Sequence, residues 1–190
     1  YGEQSRFALR ALLSRPDLYN VFVEPINWGK TGWITNDDEE REVIDQLIGK
    51  TIYHQNSQGT YDVSLQITIP NEWQKYAPVN VGYTAGIETT KIAPVWVEKG
   101  NSMDRIIVVS NHSRDIYQNT AYTIRNKDTD QIVEGDFRCT TPIDVVNFPV
   151  KRHEATAVDL ELEYDFNFLV VAQWGIRKNV KNTIKWFVEE

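Results

Sequence analysis

The sequence predicts an α/β fold, a Rossmann-like and mainly parallel open sheet with helices on both faces. Strand patterns and helix patterns alternate four or five times along the chain, which is typical of parallel strands joined by helical crossovers. Two short and largely apolar runs, RIIVVS at 105–110 and FNFLVVA at 166–172, are typical of strands buried on both faces. The 190 residues allow one full domain with some excess.

In the first half of the chain, apolar residues at helical spacing predict two helices, and alternating apolar and polar residues predict strands. Acidic residues crowd the first turn of the second helix, and Gly49 with Lys50 is predicted to close it. The predicted elements are a helix at 3–14, a strand at 19–26, a loop at 27–33, a helix at 37–50, and strands at 63–69 and 79–84.

The second half predicts further alternation, interrupted by a β-hairpin insertion around 121–137, where two β-patterned arms flank the turn-rich NKDTD. Residues 151–164 are polar and charged, which is typical of a linker. The remaining predicted elements are a helix at 93–103, the strand at 105–110, a helix capped by Ser110 or Asn111, a strand at 143–150, the strand at 166–172, and a last helix.

Charge and composition exclude several classes of protein. Twenty Lys and Arg against 27 Asp and Glu give a net charge of −7, which argues against non-specific nucleic-acid binding. Lone Cys139 cannot form an internal disulfide, which favours a reducing compartment. The sequence has neither HExxH nor a Cys pair, so no zinc is expected. No apolar run is long enough to span a bilayer, and no signal peptide is visible.

Both ends of the sequence predict an internal piece of a longer protein. The chain starts at Tyr1 without Met, and helix signals begin at once. The last segment, NVKNTIKWFVEE, stops inside a helical pattern with no C-cap residue. We therefore expect the first strand of the sheet to be missing.

Ligands of open parallel sheets bind at the carboxyl ends of the strands, so loops there carry the candidate residues. Gly2, at the start of a helix, allows close approach of a phosphate or sugar, or simply starts that helix. In TAGIETT at 84–90, Glu88 is placed to accept sugar hydroxyls or to stabilise a cationic anomeric carbon; capping the next helix is the alternative. His112 suits a general base or a hydroxyl donor, or belongs to a polar helix cap.

A pair of cations after the last predicted strand is the strongest indication of a site. Arg177 and Lys178 lie between that strand and the final helix. Two cations at a helix N-terminus are unfavourable by roughly 0.3–1 kcal/mol each. An anionic ligand such as a phosphate reverses that sign, because it gains both charges and the free backbone N–H groups.

Three segments together resemble a known family. GYTAGIETTKIAPVWVEK, MDRIIVVSNHSRDIYQNT and FLVVAQWGIRKNVKNTIKWF resemble, in this order, the retaining glycosyltransferases of the two-Rossmann-domain GT-B fold (glycosyl transferase group 1 family). The resemblance implies an acceptor-binding domain at 1–150, incomplete at its N-terminus, a linker at 151–164, and the first strand, loop and helix of a truncated donor-binding domain at 165–190.

The resemblance also implies roles for individual residues. Gly2 matches the family's glycine loop near the donor phosphates, and Ser110 matches a loop that ends in Ser at the cleft. Lys178 fits the second position of the basic pair that holds the donor diphosphate. Gln173 stands where the family has Arg, a departure for which Arg177 is the candidate replacement. Thr84 and Gly86 accompany Glu88 as expected cleft residues, with Glu88 and His112 as candidate catalytic groups.

The function implied is transfer of a sugar from a nucleotide-sugar donor to a carbohydrate, lipid or protein acceptor, with retention at the anomeric carbon. No cofactor and no metal are expected, and the fragment alone is expected to be inactive. The expected location is the cytoplasm, with a peripheral position at the inner membrane surface as an alternative. The alternative functions are a nucleotide-sugar epimerase or phosphorylase of the same fold, and a non-catalytic Rossmann-like binding module.

Overall fold

The helices and strands follow one another in an order close to that predicted. The computed structural model describes residues 1–26, 38–152, 154–157 and 160–189, which form two compact units, Tyr1–Val150 and Lys151–Glu190. Its elements are α1 (Gly2–Leu13), α2 (Glu39–Asn56), β1 (Val63–Ile67), β2 (Val79–Tyr83), α3 (Pro94–Asn101), β3 (Arg105–Val108), α4 (Asn111–Asn119), β4 (Ala121–Arg125), β5 (Ile132–Arg138), β6 (Ile143–Val145) and α5 (Val180–Glu189).

The sheet of the first unit is parallel, with the strand order β1-β2-β3-β6. This confirms the predicted mixed α/β class with a mainly parallel sheet flanked by helices. The predicted hairpin is also confirmed, because β4 and β5 pair antiparallel as a separate two-stranded sheet. Each of β2, β3 and β6 lies on the same side of the strand before it in the sheet. Right-handed crossovers therefore place α3 and α4 on the same face of the sheet.

One face of the sheet carries the core. Gly82 and Ile106 are in register on this face and are fully buried, and Val97 of α3 and Tyr117 of α4 pack into the same cluster. On the opposite face Ile107 is half-buried, whereas its register partner Tyr83 is buried. The segment 105–110 is therefore buried on one face, as predicted, but Ile107 on the other face is only half-buried.

The indole of Trp73 fills the space above Gly82. Trp73 is 0% exposed, and a Cβ built on Gly82 would lie 2.6 Å from its ring. A similar close approach occurs at Gly100, where a Cβ would lie 3.3 Å from the sulfur of Cys139. Burial raises the pKa of the Cys139 thiol and that of the Tyr117 hydroxyl, so both groups remain neutral at physiological pH.

Two predictions in the first half of the chain are wrong. Residues 19–26 are extended but form no strand, because side chains of α2 take their hydrogen bonds: the Val23 amide donates to Thr51 Oγ1 (2.8 Å) and Lys50 Nζ donates to the Val21 carbonyl (2.9 Å). Helix α2 also continues past Gly49 to Asn56, since one glycine costs only about 1 kcal/mol within a helix. The predicted loop at 27–33 lies outside the described residues.

A third prediction fails in the second unit. Residues 166–172 form no strand, and Leu169 and Val171 are each 87% exposed. A strand requires backbone partners, and no described strand pairs with this segment. Its ring contacts are local instead: Phe168 packs edge-on against Phe166 at 5.0 Å and against Phe187 of α5 at 4.8 Å between ring centroids.

Substitution of Gly82 by alanine is expected to lower the free energy of unfolding by about 1–3 kcal/mol, because the new methyl group must displace the buried indole of Trp73. Gly49→Ala is the matched control with the opposite sign. Gly49 is an exposed helical position with nothing within 4 Å of its Cβ direction, so alanine is expected to stabilise by about 0.5–1 kcal/mol. Urea unfolding followed by circular dichroism measures both changes. Equal effects of the two substitutions would contradict the close packing at Gly82.

An ion pair between α1 and α2 predicts a pH dependence. Arg10 donates from Nε and Nη2 to the Glu40 carboxylate at 2.5 and 2.8 Å, and this hydrogen bonding holds the pKa of Glu40 below its usual value of 4.5. Because the folded-state pKa is lowered, the stabilisation is present above pH 4.5 and is lost as the pH falls from there. The stability difference between wild type and Glu40→Gln should therefore shrink on acidification, whereas Glu39→Gln, at the preceding residue of α2, serves as the control.

Candidate functional site

The N-terminus of α1 lies at the carboxyl end of β2. Thr84, the first residue after β2, is 1% exposed, and its hydroxyl lies 3.1 Å from the hydroxyl of Tyr1. Gln4 Nε2 donates to the Thr84 carbonyl at 3.3 Å. Gly2 is exposed beside these contacts as the first residue of α1. The structure therefore brings Gly2 and Thr84, two of the predicted site residues, to the same end of the sheet.

The loop after Thr84 is held by polar side chains of α4 and of the hairpin. The amide of Ile87 donates to Ser113 Oγ (3.3 Å), and the amide of Ile92 donates to Thr120 Oγ1 (3.3 Å). The Tyr122 hydroxyl of β4 donates to the carbonyl of Ile92 at 2.5 Å. Each contact satisfies a backbone group that lies outside the sheet, so the loop has a defined shape.

An open cleft of about 450 Å³ lies along this loop, and we call it the carboxyl-end cleft. It contains a carboxylate (Glu88), an ammonium group (Lys91) and an indole (Trp96), with Gly86 at its rim. Trp96 is half-buried and packs against the core, whereas Glu88 and Lys91 are exposed. The full lining is Gly86, Ile87, Glu88, Thr89, Lys91, Ile92, Ala93 and Trp96. These groups can hydrogen-bond hydroxyls and cover the apolar face of a ring.

Ser110 and His112 occupy the first turn of α4. Ser110 is the N-cap: its Oγ accepts from the Ser113 amide and donates to Ser113 Oγ, both at 3.1 Å. Of the two predicted caps, Ser110 is therefore the one observed. Through Ser113, which also accepts from Ile87, this cap is connected to the wall of the carboxyl-end cleft. His112 is exposed on the same turn.

The remaining predicted site residues belong to the second unit. Arg177 and Lys178 lie in a 3₁₀ turn, Ile176–Lys178, and Asn179, with a left-handed φ of 51°, separates this turn from α5. Gln173 is exposed three residues before the turn. These residues were expected to connect a buried strand to a helix. The strand is absent, because the described residues 166–172 form none.

Sequence reasoning missed the residues that shape the cleft. Gln4 is 1% exposed, and its Oε1 has no hydrogen-bond partner among the described residues. Ser113, Thr120 and Tyr122 act from elements that follow the loop by 26 to 30 residues. The one local signal was Ser113, three residues after a serine, which is the spacing of a capping interaction.

The described part of the chain contains no candidate metal site and no candidate membrane-spanning helix. Within it, no three side chains of His, Cys, Asp or Glu lie close enough together to hold a metal ion. No helix there combines the length and apolar character needed to cross a membrane.

Comparison with known proteins returned no match: no protein-family model, no curated protein and no solved structure is similar to this chain.

Ser113→Ala and Thr120→Val are expected to release different parts of the loop. Loss of the Ser113 hydroxyl leaves the Ile87 amide without its acceptor and should lower stability by about 1–3 kcal/mol. Hydrogen exchange should accelerate at Ile87 and not at Ile92. Thr120→Val should produce the reciprocal pattern, with faster exchange at Ile92 alone. Equal acceleration at both amides in either variant would contradict independent anchoring of the two ends of the loop.

Proposed function

We propose that this chain belongs to a retaining glycosyltransferase of the GT-B type and contributes the acceptor-binding domain and the beginning of the donor-binding domain. The observation that carries the proposal is the carboxyl-end cleft, which places Glu88 after the second strand of a parallel sheet. Open parallel sheets bind their ligands at this end. The order of the three segments that resemble the family gives independent support.

In the proposed reaction the nucleoside diphosphate leaves as negative charge develops on its oxygens. Arg177 and Lys178 are adjacent cations that can stabilise this charge from the second unit. Glu88 is proposed to accept hydroxyls of the sugar or to stabilise the positive charge on the anomeric carbon, and His112 is proposed as a hydrogen-bonding or proton-accepting group. Gly2, at the start of α1, leaves room for a phosphate beside exposed backbone N–H groups.

A non-catalytic binding module is the second candidate, and one observation favours it. Lys178 lies before the left-handed residue Asn179 and not in the first turn of α5, and Gln173 replaces the family's Arg. Both features weaken the case for a complete diphosphate site. Such a module would bind a nucleotide-sugar without releasing its diphosphate.

The test is an activity assay of the protein expressed from its natural reading frame. With a panel of nucleotide-sugars we expect release of nucleoside diphosphate, and NMR of the product should show the anomeric configuration of the donor. Lys178→Ala is expected to lower kcat/KM about a hundredfold, because one donor to the leaving group is lost. Lys181→Ala, on the polar face of α5, is the control and should leave kcat/KM unchanged.

Glu88 is tested with a second matched pair. Glu88→Gln is expected to lower kcat/KM about tenfold or more, whereas Glu98→Gln, an exposed position on α3, should not. A folded protein that binds nucleotide-sugars but releases no diphosphate would support the binding module. Release of a product with inverted configuration would overturn the retaining mechanism.

A further inference from the structure

A second cleft lies at the opposite end of the sheet. This open cleft has a volume of about 630 Å³. It lies between residues 59–62, which lead into β1, and residues 75–78, which lead into β2. We call it the amino-end cleft. Because β1 and β2 run parallel, it is separated from the carboxyl-end cleft by the length of these strands, about 16 Å for five residues. It is therefore a different site from the one used in the proposed transfer reaction.

The wall formed by residues 59–62 is fixed by His54. Its Nε2 lies 3.0 Å from the Thr60 carbonyl. Gly59 lies so close to the imidazole that a Cβ there would be 2.2 Å from the ring. The ring of Tyr61 packs against His54 and against Phe22, with centroid distances of 5.2 and 5.3 Å. This wall is therefore formed before any ligand binds.

The opposite wall is fixed by Asn80, which is 1% exposed. Its Oδ1 accepts from the amides of Tyr76 (2.9 Å) and Ala77 (3.1 Å), and its Nδ2 donates to the Ala77 carbonyl at 2.6 Å. The two walls are joined where the Val79 amide donates to the Asp62 carbonyl at 3.3 Å. A cleft with two fixed walls loses little conformational entropy when it binds a ligand.

The exposed side chains that line the amino-end cleft indicate the chemistry of a ligand. Tyr76 is 58% exposed, so its ring is available as an apolar platform. Lys75 donates hydrogen bonds and the Asp62 carboxylate accepts them, and both are exposed at the cleft. A phosphate would be repelled by Asp62, and an ammonium compound by Lys75. A neutral ring with several hydroxyl groups can hydrogen-bond both charged side chains, and it presents C–H groups to an aromatic face.

From these contacts we infer that the amino-end cleft binds a saccharide ring, which stacks on Tyr76 and hydrogen-bonds Asp62 and Lys75. This site is additional to the carboxyl-end cleft. It holds a sugar without transferring it.

The test is an NMR titration of the 190-residue chain with methyl glycosides of glucose, galactose, mannose and N-acetylglucosamine, and with maltose. At least one of these sugars should produce saturable shifts in the amide signals of Thr60, Tyr61, Tyr76 and Ala77. Shifts confined to residues 84–93 would place the sugar in the carboxyl-end cleft and overturn this inference, while leaving the proposed function intact. Absence of saturable shifts with every sugar would also overturn it.

The platform is tested by Tyr76→Ala, which should weaken binding about tenfold, because a stacked aromatic ring is lost. Tyr164→Ala is the control, since Tyr164 is comparably exposed in the second unit. If both substitutions weakened binding equally, the sugar would not be stacked on Tyr76.

Discussion

The first unit depends on the contact between Trp73 and Gly82. The indole occupies the space that a side chain at Gly82 would need, and it is buried by the same cluster that joins α3, α4 and β3. A large aromatic side chain contributes much of the apolar area buried by a small domain. Because Gly82 has no side chain, the indole of Trp73 lies directly against β2. Both clefts lie at the ends of strands that pack on this core.

The loops at the two ends of the sheet are shaped by buried polar side chains. At the carboxyl end, Ser113 and Thr120 accept from backbone amides of the loop, and at the amino end Asn80 does the same for residues 76 and 77. Side chains provide what a neighbouring strand provides inside the sheet, namely a partner for each buried N–H group. Consequently both clefts have defined walls although neither is enclosed by regular secondary structure.

Local periodicity was sufficient to predict the parallel strands, the hairpin and α1, because each has an apolar face that repeats at the spacing of its element. It failed where the partner of a segment decides its structure. The segment at 19–26 has strand character, but its hydrogen bonds go to Lys50 and Thr51 of α2. The run at 166–172 has the composition of a buried strand and lacks a paired neighbour. Of the site, Ser110 was predictable from its capping position, whereas Tyr122 acts from 30 residues beyond its acceptor.

The distribution of charged groups separates the two proposals. The cations assigned to the leaving diphosphate, Arg177 and Lys178, belong to the second unit, and Glu88 belongs to the first. The proposed transfer reaction therefore assigns roles to residues of both units. The amino-end cleft is built entirely from the first unit and pairs Lys75 with Asp62, so it has no excess of either charge to attract a phosphate. We therefore expect the saccharide binding proposed there to persist in a variant that has lost Lys178, so the two proposals can be tested separately in one protein.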